Sequence, residues 1–140
     1  MAFEFARNIQ DVSLNPATFA LPTTVNTPTT SAAVDLGTDV YKTERLELEL
    51  SIPALSNTIA PSGSTAGVTY SIETSTTSTF AAIARTIVSK NLVGTGSGVT
   101  AQKVRCRVPS DCEQFIRAKV NLGTTCTDAS ALAGTLTLRF

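Results

Sequence analysis

The chain has 140 residues, is 42% hydrophobic and 16% charged, and balances eleven basic against eleven acidic groups with no histidine. That length makes one domain able to bury a core without a disulfide or metal, and zero net charge gives no general attraction to nucleic acid or anionic lipid. The missing histidines remove the commonest general base and metal ligand, and with them Ser-His-Asp and Cys-His sites.

Residues 1–42 differ from the rest. They hold Asn15-Pro16, Leu21-Pro22 and Thr27-Pro28 and a Thr-rich stretch at 23–30. Proline removes backbone donors and disfavours helix in the residue before it, so an extended arm is expected. Met1, Phe5, Ile9 and Val12 fall at helical spacing, which allows a short helical start. Glu4, Arg7 and Asp11 break the apolar run that a secretory signal needs. Phe3, Phe5, Leu14, Phe19 and Leu21 make the arm too apolar for a free tail. They either wrap the chain's own domain or lie on a neighbouring subunit, and they are the candidate apolar inter-subunit contacts.

The arm runs into Ser31-Ala-Ala-Val-Asp-Leu-Gly37, a short strand closed by a glycine turn. The clearest signal follows at 45–52, where Leu46, Leu48, Leu50 and Ile52 alternate with Arg45, Glu47, Glu49 and Ser51. This is a strand with one buried and one wet face, ended by Pro53. Residues 57–67 form a loop. Val68, Tyr70 and Ile72 point inward from the next strand. After a polar turn at 75–79, residues 80–88 return to apolar character; their length and flanks favour a strand over a helix. Residues 94–98 are a glycine-rich loop without the Gly-Lys-Ser/Thr ending of a phosphate loop. Three further alternating strands centre on Val104, Cys106 and Val108, on Ile116, Ala118 and Val120, and on Leu136, Leu138 and Phe140. The set predicts an all-β domain over 43–140, a jelly roll or β-sandwich of about eight antiparallel strands.

Little chemistry remains. The three cysteines, Cys106, Cys112 and Cys126, lack a fourth soft ligand for a zinc site. Reduced thiols are the expected state, with a Cys112–Cys126 bridge left open. Cys106 alternates with Val104 and Val108, as a small core residue does. Glu47 and Glu49 share a strand face and are expected to be solvated or to pair with Arg105 and Arg107. Asp35, Asp39, Asp111 and Asp128 lie in or near turns, where Asp bonds locally. No catalytic, cofactor or metal site is expected. The charge is unevenly placed: residues 1–80 carry eight acids and three bases, residues 81–140 three acids and eight bases. Either acidic strands pair with basic ones inside the fold, or opposite-sign surfaces dock onto another molecule. Arg105, Arg107, Arg117 and Lys119 are the candidate polar contacts.

Four segments carry a resemblance: Ser31-Ala-Ala-Val-Asp-Leu-Gly37, Val68-Thr-Tyr-Ser-Ile-Glu-Thr-Ser75, Arg107-Val-Pro-Ser-Asp-Cys-Glu-Gln-Phe-Ile-Arg-Ala-Lys-Val120 and Gly134-Thr-Leu-Thr-Leu-Arg-Phe140. In order and spacing they resemble the capsid cement, or decoration, proteins of short-tailed bacteriophages of the Bordetella phage type. Gln114-Phe115 departs from the more usual Arg-Tyr, and the cysteines are not a family feature. The resemblance implies a jelly roll on the outer capsid surface, assembled in the bacterial cytoplasm. It also implies binding to a major capsid protein of the HK97 type, and self-association as a dimer rather than a trimer. Nucleic acid and membrane are not expected partners. The competing readings are a β-sandwich that binds carbohydrate or host, and another phage head or tail protein. The first is weakened by the absence of Trp and the presence of only two Tyr.

Overall fold

The structure, a computed structural model, describes residues 17–37, 46–63, 67–83 and 85–139. Among these there is no helix, and nine strands form two antiparallel sheets packed as a β-sandwich. β1 (Ala17–Ala20), β4 (Glu47–Ile52), β7 (Gln102–Arg107) and β9 (Ala133–Arg139) make the first sheet, in the order β1-β9-β4-β7. β2 (Thr29–Thr30), β3 (Val34–Asp35), β5 (Gly67–Ser75), β6 (Arg85–Val93) and β8 (Phe115–Leu122) make the second, in the order β2-β8-β5-β6 with β3 also on β8.

Two-residue periodicity sets which side chains meet between the sheets. Leu48, Leu50, Leu136 and Leu138 face inward from one sheet, and Val68, Tyr70, Ile72, Ile116, Ala118, Val120 and Leu122 from the other, all buried. Leu46, the residue just before β4, is buried too, and its carbonyl accepts the Val108 N–H that extends the β4–β7 ladder. Gly37 takes φ +79° and its N–H donates to Asp35 Oδ1 at 2.7 Å, the glycine turn expected after the short strand.

Two expectations change. The strand placed at 80–88 starts at Arg85 and runs on to Val93. Residues 76–83 instead fold back as a loop, held where Ser75 Oγ donates to the Ala82 carbonyl at 2.8 Å and where the Phe80 N–H donates to the Thr77 carbonyl at 3.1 Å. Phe80 sits there at φ +52°, a left-handed conformation that is strained for a bulky side chain. Of residues 80–83 only Phe80 is buried, with Ala81, Ala82 and Ile83 exposed, and the polar Ser89-Lys90-Asn91 continues an edge strand with little to bury.

Nor does the boundary at 42/43 separate an arm from a domain. β1 pairs with β9, Ala17 to Leu136 through Ala20 to Ala133, while β2 and β3 pair with β8. Residues 17–37 therefore cross from one sheet to the other and are part of the sandwich. The helical spacing over Met1 to Val12, Asp39 and the final Phe140 lie outside the described residues.

The Cys112–Cys126 bridge left open above is excluded. Cys112 Sγ lies 3.3 Å from Thr74 Oγ1, near one end of β5, and Cys126 Sγ lies 4.0 Å from the Gly67 carbonyl at the other. Seven residues of strand separate those positions, roughly 23 Å, against a Cα separation of less than about 7 Å in a disulfide. All three cysteines stand as thiols.

Candidate contact surfaces

The outer face of each sheet is organised around one buried glutamate. On the first sheet β4 lies between β7 and β9, with Glu47 opposite Arg107, Glu49 opposite Arg105 and Ser51 opposite Lys103. On β9, Arg139 lies opposite Glu47. This register is fixed by the leucines on the other face, because a one-residue slip would turn Leu48 and Leu50 to water. It delivers three cations to one carboxylate. Arg105 Nε donates to Glu49 Oε2 at 2.6 Å, and Arg139 Nη2 and Lys103 Nζ approach Oε1 at 3.0 and 3.3 Å. The Glu49 side chain is 3% exposed, whereas the three cations are 47–60% exposed.

The wet face expected for this strand is thus only half wet, since long basic side chains roof over Glu49. Burial by itself would raise the Glu49 carboxyl, but the hydrogen bonds from Arg105 and Lys103 and the charge of Arg139 hold it below its ordinary value of 4.5. A carboxyl lowered by folding stabilises the fold fully above its unfolded value, and that contribution is lost as pH falls through its folded value. We therefore expect the stability difference between wild type and Glu49→Gln to be constant above about pH 4.5 and to shrink steadily below it. Thermal denaturation across the acid range checks this, and a difference independent of pH would remove the carboxylate from the account.

The second sheet repeats the arrangement with a tighter seal. Glu73 on β5 lies opposite Arg117 on β8, and Lys119 lies one inward–outward repeat away. Arg117 Nη2 and Nε donate to Glu73 Oε2 at 2.9 and 3.1 Å, and Lys119 Nζ donates to Oε1 at 3.1 Å. The loop at 76–83 places the buried Phe80 ring with its centroid 4.3 Å from the Arg117 guanidinium carbon. Glu73 is 4% exposed and Arg117 18%.

The four candidate polar contacts therefore do not form one patch. Arg105 and Arg107 point out from the first sheet, Arg117 and Lys119 from the second, on opposite sides of the sandwich. Arg117 and Lys119 are engaged with Glu73 inside the chain, as Arg105 is with Glu49, but with less of each side chain open, 18% and 30% against 57%. Pairing between the acidic and basic halves of the sequence accounts for Glu49 and Glu73. It does not account for Arg107, which is exposed and makes no ion pair among the described residues.

The apolar candidates divide likewise. Phe19 and Leu21 are 5% and 1% exposed and belong to the chain's own core, leaving no side-chain surface for a neighbour. Their assignment as inter-subunit contacts is corrected: β1 alternates, so Ala17 and Phe19 turn inward while Thr18 and Ala20 face out. Phe3, Phe5 and Leu14 lie outside the described residues. Lys103 and Arg139 are not among the contacts expected from the sequence. Their signal was the alternation itself, since each falls on the polar face of a strand next to the one bearing Glu49.

Reactive groups are few. Burial pushes the Cys106 and Cys126 thiols above their ordinary value, with Cys112 adding to the effect at Cys106, which suits packing rather than attack. Asp35 and Asp128 accept backbone N–H groups from Gly37 and Ser130 within their own turns, and Asp111 meets Arg85 in an exposed pair. Among the described residues no group of three or more His, Cys, Asp or Glu is arranged to hold a metal, and no helix is long and apolar enough to cross a membrane. No protein family, curated protein or solved structure matches the chain.

Proposed function

We propose that this chain is a virion protein, a capsid cement protein of the jelly-roll type that binds the outside of a shell of HK97-type major capsid protein and stabilises it. The observation that carries the reading is where the resembling segments fall. Those beginning at Val68 and Arg107 supply β5 and β8, neighbours in the second sheet, the one beginning at Gly134 supplies β9 inside the first, and the segment at 31–37 supplies β3 on β8. The resemblance therefore runs through the framework of the domain and not through scattered loops. The ion-pair clusters support the same reading, since their carboxylates lie beneath cations on outer sheet faces and are closed to a substrate.

A cement subunit works by mass action. It binds neighbouring capsomers in the assembled shell and not dispersed ones, so its binding free energy adds to the stability of the shell. Bridging two capsomers makes the second contact intramolecular, and modest contacts then suffice. Self-association as a dimer would multiply the effect. A rigid sandwich suits the task because little conformational entropy is lost on docking.

Copy number in purified particles of the encoding phage tests the proposal. Quantitative mass spectrometry and cryo-imaging should find the chain at hundreds of copies per particle, on the order of the major capsid protein, arrayed over the outer surface. Absence from the particle, or a few copies confined to the tail or portal, would refute it. Within that test the arm is best probed by deleting residues 1–16, because a cut extending to residue 22 also removes β1 and the buried Phe19 and Leu21.

A further inference from the structure

We infer that the outer face of the first sheet is a preorganised docking surface for an acidic protein surface, built from Lys103, Arg105, Arg107 and Arg139. The inference rests on the reading of the chain as a structural binding protein and supplies the face and the chemistry of its partner. Six charged side chains project from this face, the four cations together with Glu47 and Glu49. Glu49 is sealed beneath three of the cations and presents almost no surface of its own. A partner therefore meets four exposed cations and one exposed carboxylate, Glu47, on a chain whose total charge is zero.

The arrangement is more than a count of charges. A buried carboxylate anchors Arg105, Lys103 and Arg139 from below, which fixes the stems of long side chains that would otherwise lose rotamer freedom on binding. Only part of each cation's donor set reaches Glu49: Arg105 bonds through Nε, which leaves both its terminal nitrogens, and Arg139 bonds through Nη2. Arg107, beside them in register, makes no ion pair among the described residues. Guanidinium groups with open donors at fixed positions fit carboxylates side-on.

The occupant follows from what else the face holds. Its other outward positions on the described strands are Thr18, Ala20, Ser51, Ala133, Thr135 and Thr137, so no aromatic ring lies among the cations for a nucleobase to stack on. The face is a broad sheet surface, suited to another protein's flat surface rather than to a small anion. The second sheet differs, because Phe80 of the loop at 76–83 lies against Arg117, which is mostly buried.

The test uses the full chain and two single variants that change charge equally: Arg107→Glu on the face, and Arg85→Glu on the other sheet in an exposed pair. Binding of poly-L-glutamate and of a 12-base-pair DNA duplex is followed by fluorescence anisotropy at low and at physiological salt. Wild type should bind poly-L-glutamate more tightly than the duplex, with affinity falling as salt rises. Arg107→Glu should weaken it by about tenfold or more while Arg85→Glu stays within about twofold; unchanged thermal midpoints show that both variants fold. No binding of poly-L-glutamate, equal losses in the two variants, or tighter binding of the duplex would each overturn the inference. Re-binding to shells stripped of the chain separates the two readings. Shells that take up wild type and Arg107→Glu alike overturn the face and leave the cement reading. Shells that refuse wild type, while poly-L-glutamate binding is selectively lost in Arg107→Glu, overturn the cement reading and leave the face.

Discussion

Replacing Phe19→Ala should cost about 3–5 kcal/mol of unfolding free energy, a large part of the roughly 5–15 kcal/mol available to a domain. The ring is buried, at 5% exposure, and lies directly across Gly134, where a Cβ would stand 2.6 Å from Phe19 Cζ. Truncation leaves a cavity between β1 and β9 that the paired backbones cannot collapse to fill. Urea denaturation measures the loss. The neighbouring Thr18→Ala, on the exposed side of the same strand, should stay within about 0.5 kcal/mol of wild type.

A second substitution makes the test specific. Gly134→Ala alone should destabilise, because its methyl group meets the phenyl ring, whereas in a Phe19→Ala background the same methyl group enters vacated space and its cost should largely vanish. Such non-additivity is the signature of direct contact. Additive losses would mean that the ring is not seated on Gly134. A small effect of Phe19→Ala on stability, joined to a large effect on association, would return Phe19 to the set of inter-subunit contacts.

Arg117→Ala should cost about 3 kcal/mol, because it removes the principal partner of a carboxylate that cannot reach water. Glu73 would keep only Lys119, and Phe80, held at positive φ, would lose the guanidinium beneath its ring. The loop at 76–83 should loosen as a consequence, seen as faster amide exchange at Phe80 than in wild type. Arg117→Lys should recover little, since one ammonium neither supplies two N–H donors to Glu73 Oε2 nor lies flat against the ring. By contrast, Arg85→Ala breaks only an exposed pair with Asp111 and should cost less than about 1 kcal/mol. If Arg117→Ala were as mild as Arg85→Ala, water would be reaching Glu73 and the seal over the second sheet would not exist.

The two glutamates of β4 show where reading by alternation stops. Glu47 and Glu49 look identical in the sequence, each an acid on the polar face of one strand. Burial separates them, since Glu49 is centred under Lys103, Arg105 and Arg139 while Glu47 is near the strand's end and exposed. Three cations converge on one acid only because β7 and β9, distant in the chain, flank β4. Likewise Arg105 and Arg117 resemble each other in sequence, yet one faces out beside an exposed Arg107 and the other is covered by a loop. The loop is not legible in the sequence because residues 80–88 are apolar enough for a strand, and local pattern carries no record of the left-handed turn at Phe80.

By itself the sequence determined the fold class, the inward residues of most of the strands and the absence of a histidine-based site. Those follow from composition and from a two-residue period that depends only on neighbours along the chain. Which acid is sealed, which cations remain open, that Phe19 and Leu21 belong to the chain's own core, and that Cys112 and Cys126 stand too far apart to bridge were decided by tertiary structure alone. Each depends on which strands lie side by side and in what register, and that is set by the packing of one sheet on the other rather than by any short stretch of residues.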